Sequence, residues 1–131
     1  MWYPTILRGV NLNIDKAAII AKYGAESKDN AALNVRYTVL DGKKMIGDKP
    51  YLPPKEWERQ TNDMLPKTVT FASGIDFDFF MVGEYENTEP IPDDDYIDGF
   101  YNHINNTCDY VFAVTSVAEY SVIPHFEIMG A

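Results

Sequence analysis

The chain has 131 residues, 46% of them hydrophobic and 14% aromatic, and a formal net charge of −9. That length and apolar content allow one self-sufficient core, burying roughly two thirds of the surface that the unfolded chain would expose, and they exclude a disordered or disulfide-dependent chain. Residues 1–67 hold all 11 basic groups against 8 acids, whereas residues 68–131 hold 12 acids and no base, which disfavours direct binding of nucleic acid or an anionic membrane because both are held through positive charge.

From Trp2 to Val10 the chain is apolar and β-branched enough for a first strand, with Pro4 near its start, where a missing donor is tolerated. Asn13 stands where an N-cap belongs, and Ile14, Ala17, Ala18 and Ala21 recur at helical spacing up to Gly24, which predicts a helix over 14–23. Ala32 to Leu40 alternates, with Leu33, Val35, Tyr37 and Val39 on one face and Asn34, Arg36 and Thr38 on the other, the pattern of a half-buried strand. Asp41-Gly42 is a type I′ hairpin signal, so Lys43 to Ile46 is expected to return as its partner. Pro53-Pro54 opens a helix through Trp57 that Pro66 bounds.

Thr68 to Ser73 and Ile75 to Glu84 predict two core strands joined near Gly74. Tyr96, Ile97, Phe100, Tyr101 and Ile104 then predict an amphipathic helix from Asp93 to Asn106. Asp109 to Ile128 is too long for one strand and divides near Ala118, with Pro124 placing the last strand at an edge. The expected fold is a single α+β domain over 1–131, a mainly antiparallel sheet of about six to seven strands with three helices, each helix followed by a hairpin. Helix starts near residues 14, 54 and 93 are spaced by about 40 residues, without the residue identity that would establish a repeat.

No phosphate-cradling glycine loop, zinc-like Cys/His spacing or nucleophile elbow occurs, so no catalytic residue, metal or cofactor is assigned. His103, Cys108 and Asp109 match no nucleophile motif, and His125 reads as exposed. One cysteine cannot form an internal disulfide, and Met1-Trp2-Tyr3-Pro4 is no export signal, so an intracellular, cytoplasmic setting is expected. Asp93-Asp94-Asp95 with Asp98 is dense enough for a hard cation but lacks EF-hand spacing, and acids in a helix's first turn are stabilised by its macrodipole. Asp76 and Asp78 alternate with Phe77 and Phe79, as on the wet side of a strand.

Asp76, Asp78, Glu84, Glu86, Glu89, Asp93, Asp94, Asp95 and Asp98 thus fall within 23 residues with no cation among them. The leading expectation is a binding or inhibitor protein of the viral anti-host type, whose acidic face docks on a basic protein surface and mimics nucleic acid there. The alternative is a self-assembling structural subunit of a virion or ring, a homo-oligomer in which the basic first half of one copy meets the acidic half of the next. A third reading makes Trp2, Trp57, Tyr85, Tyr96 and Tyr101 the lining of a small-molecule or nucleotide pocket rather than core.

Overall fold

The structure, a computed structural model, describes residues 1–14, 31–83 and 89–131. In chain order its elements are β1 (Asn11–Ile14), β2 (Ala31–Arg36), β3 (Thr38–Leu40), β4 (Lys43–Ile46), β5 (Lys49–Pro50), helix α1 (Pro54–Glu58), β6 (Phe79–Met81), helix α2 (Phe100–Thr107), β7 (Val111–Tyr120) and β8 (His125–Gly130). Two 3-10 turns, Leu65–Lys67 and Asp93–Asp95, lie between them. The class is α+β, with a five-stranded antiparallel sheet in the order β1-β2-β8-β7-β6 and a three-stranded antiparallel sheet, β3-β4-β5.

Alternation explains the centre of the larger sheet. Leu33 and Val35 of β2 face inward opposite Ile128 and Phe126 of β8, and all four are buried. With Tyr37, Ile46, Val69, Phe71 and Val114 they form the main core, in which Phe126 touches the rings of Tyr37, Tyr51 and Phe71. A smaller core gathers Ile91, Phe100, Ile104 and Val111 at the start of β7. A register shift between Val114 and Ser116 marks where β7 changes character: Val111, Phe112 and Val114 are buried, whereas Ser116, Ala118, Glu119 and Tyr120 are exposed.

Several expected elements are placed differently. Trp2 makes only an isolated bridge to Ile91, and the first strand is Asn11–Ile14, so Asn13 and Ile14 are strand residues and the rest of the helix expected over 14–23 lies outside the described residues. The strand expected from Ala32 to Leu40 breaks at Tyr37, whose N–H bonds to the Pro124 carbonyl, and its two parts join different sheets. The Asp41-Gly42 hairpin is as read, with φ of 52° and 75° at the two turn residues. The strands expected over 68–73 and 75–84 reduce to β6, with Val69 bridging Tyr51 and Glu84 outside the described residues. The helix expected from Asp93 begins only at Phe100, leaving Ile97 in solvent. β7 runs on past Ala118 to Tyr120, and β8 is an interior strand between β2 and β7, because Pro124 sits in the turn one residue before it and costs the ladder no donor.

Candidate functional site

β7 spans roughly 30 Å at the usual rise per residue, and the two ends of that span carry different chemistry. At the Val111 end, Asp93 organises the acidic segment. Its Oδ1 accepts the backbone N–H of Phe100 at 2.9 Å and the indole N–H of Trp2 at 2.8 Å, and these two donors, Phe100 first, hold its carboxyl below the usual carboxylate range. Asp93 therefore serves the start of α2 from seven residues away. Gly99 makes this approach feasible: its φ is 89°, and a Cβ there would stand 3.1 Å from Asp93 Oδ1. Trp2 also exchanges two backbone hydrogen bonds with Ile91 and sets its ring against Phe79, while Tyr101 meets Phe77 and Phe79 edge-on.

The acids expected to share one face divide by role. Asp76, Glu89, Asp94, Asp95 and Asp98 are exposed, Asp93 is occupied as described, and Glu84 and Glu86 lie outside the described residues. Among the described residues no group of three or more His, Cys, Asp or Glu could hold a metal ion. Two isoleucines stand in solvent beside these acids in the chain, Ile75 at 97% exposure and Ile97 at 92%. His103 packs its ring on Tyr96, Cys108 joins the smaller core, and Tyr85 is outside the described residues.

Asp78 leaves the acidic surface altogether. The segment before β6 is not a strand, so Asp76 and Asp78 do not share a wet face as the alternation implied. Asp78 is partly buried, and its Oδ2 accepts the Ala72 N–H at 2.8 Å. Burial outweighs that donor and pushes its pKa up to about 6. It lines a cavity of about 740 Å³ between the N-terminal segment and the sheet, together with Tyr3, Leu33, Trp57, Thr70 and Phe80.

At the other end of β7 two hairpins are linked. The Tyr37 to Pro124 hydrogen bond, the Lys44–Glu119 ion pair and the position of Lys44 Nζ 5.7 Å from the Tyr37 ring tie the β3–β4 hairpin to the β7–β8 hairpin. This end carries Val39 and Leu40 on one hairpin and Tyr120, Val122 and Ile123 on the other, all exposed, with Val122 at 95%. Arg36, Lys43 and Lys44 border it. His125 is half-buried here rather than exposed, its ring stacked on Tyr120 at 4.8 Å and its Nδ1 2.6 Å from the Ile123 carbonyl.

Residues 1–131 match the family described as a family of unknown function, DUF6751. The chain belongs to that family. No curated protein and no solved structure matches it. Membership spans the whole chain and its description names no activity, so function is argued from the two ends of β7 and from the cavity. No helix among the described residues is long and apolar enough to cross a membrane.

Sequence reasoning passed over the apolar tip because it splits the last strands at Ala118 and so spreads Val122 and Ile123 into a strand. The signal was present: Val122-Ile123-Pro124 places two aliphatics next to a residue that ends ladder pairing.

Proposed function

We propose that this protein is a self-assembling structural subunit of a ring or shell such as a virion, in which the apolar hairpin tip of one copy seats against the acidic end of the next. The observation that carries this reading is the set of exposed aliphatics at the two turns, Val39 and Leu40 on one and Val122 and Ile123 on the other, together with Ile75 and Ile97, which stand in solvent beside the acids in the chain. Exposed aliphatics scattered singly are ordinary, but clusters on projecting tips mark interaction surfaces.

The charges differ between the two regions. Arg36 and Lys43 border the tip, where Lys44 is paired with Glu119 and the turn carries Asp41, whereas Asp76, Asp94, Asp95 and Asp98 lie near the two isoleucines in the chain. Two different patches that fit each other make a heterologous contact, which propagates until a ring closes or a filament grows. Sedimentation across protein concentration tests this reading: the wild-type chain is expected to exceed monomer mass, and Val122→Asp to weaken association about tenfold or more, since a buried unpaired carboxylate costs over 1.4 kcal/mol. A monomer at every concentration would overturn it.

The second reading, an acidic face that docks on a foreign basic protein, draws on the exposure of Asp76, Glu89, Asp94, Asp95 and Asp98. It leaves the apolar tip without a role. Binding of this type falls steeply with salt, so a partner retained at high salt would contradict it.

A further inference from the structure

Ile75 and Asp76, used in the assembly reading, also stand at the wall of the cavity at Asp78, but that reading leaves its interior without a role. Its volume, about 740 Å³, falls within the range of small-molecule sites. Most of its wall is apolar, including Leu7, Leu33, Phe71, Phe80 and Ile128. Polar groups of several kinds interrupt that wall, among them Asp78, Trp57 and Thr70. Asp78 offers a carboxylate with one oxygen engaged by Ala72. Trp57 and Thr70 both line the space, and the Trp57 Nε1 and Thr70 Oγ1 atoms are buried without a hydrogen-bond partner.

The side-chain charges lining the space favour a cation: Asp76, Asp78 and Asp93 are acids and Arg8 is the one basic side chain among the described lining residues, with the Met1 α-amino group acting on Asp93. Burial alone drives the Asp78 shift, and no basic side chain offsets it among the causes at that site.

We propose that this cavity binds a small amphiphilic amine, its ammonium on the free oxygen of Asp78 and its aromatic or aliphatic body against Leu33, Phe71 and Phe80. An ammonium supplies the charge and the N–H donors that the carboxylate lacks. Neutral or anionic molecules of the same shape gain the apolar contact only, and an anion adds repulsion from three acids.

The test is calorimetric titration of the full chain with phenethylamine, phenethyl alcohol and phenylpropanoate, with the Asp78 carboxyl carbon followed by NMR in parallel. The amine is expected to bind about tenfold or more tightly than the alcohol, to move the Asp78 carbon signal, and to lose its advantage in Asp78→Asn. Equal binding of amine and alcohol, binding of neither, an unmoved Asp78 signal in the wild-type chain, or a preference that survives Asp78→Asn would each overturn the proposal. The wild-type NMR arm decides the matter even if Asp78→Asn fails to fold.

Discussion

Asp78 gives the protein a pH dependence of unusual sign. Burial raises its pKa from 3.8 to about 6 in the folded state, so the folded chain holds this proton more tightly than the unfolded one. The associated stability is complete below the unfolded value and is lost as pH rises through the folded value, after which it stays constant. The loss over that window is on the order of 2 kcal/mol, a shift of two pKa units being about 2.7 before allowance for partial exposure. Asp78→Asn removes this term, and an amide oxygen can still accept the Ala72 N–H. Denaturant unfolding at a series of pH values is expected to show the variant more stable than wild type above pH 6, with the difference vanishing towards pH 3; parallel pH profiles would contradict it. Asp93 acts in the opposite sense. Its carboxyl is held low by Phe100 and Trp2, so its stabilisation is present above the ordinary carboxylate range and lost as pH falls through its lowered folded value.

Helix α2 owes its starting point to that same aspartate. Phe100 N–H would otherwise be an orphan of the first turn, and Asp93 reaches it across Gly99. Asp93→Ala is expected to lower the melting temperature and to weaken α2 first, seen as faster amide exchange at Phe100 and Ile104 than in β8; uniform loss of protection would contradict the assignment. In β8 the constraint is one of space. A Cβ on Gly130 would lie 2.7 Å from the Phe80 ring and 2.8 Å from Phe112 Cβ, and Phe112 is buried at the sheet centre. Gly130→Ala is expected to cost about 1–3 kcal/mol in urea unfolding, the range for overpacking. Local signals made the elements legible where local chemistry decides them: the Asp41-Gly42 turn, the alternation of β2 and the proline entry to α1. They misled where distant partners decide. The α2 start moved because Asp93 bonds forward to Phe100, and the long alternating run broke at Tyr37 because its N–H is claimed by Pro124. Of the acids in the candidate site, Asp76, Glu89, Asp94, Asp95 and Asp98 were legible as surface. Asp78 was not, since its burial is a tertiary fact.

At the scale of the whole molecule, the two halves of β7 differ in burial, and Asp93 and the exposed aliphatic turns stand at different ends of it. Its buried first half anchors the acidic end, its exposed second half carries the tip outward, and the apolar turn that hides the strand boundary in the sequence is the surface proposed to meet the next copy. A contact of this mixed kind is expected to weaken with added salt without vanishing, because screening removes the charge attraction and leaves apolar burial. The most direct measurement is sedimentation of two variants, each with one patch broken, alone and mixed. Val122→Asp and Ile97→Asp should each be monomeric while wild type grows beyond a dimer, and an equimolar mixture should form a one-to-one dimer through the remaining intact tip and intact acidic end. Dimers of Ile97→Asp alone would show a tip-to-tip contact instead, and a mixture that stays monomeric would contradict head-to-tail assembly.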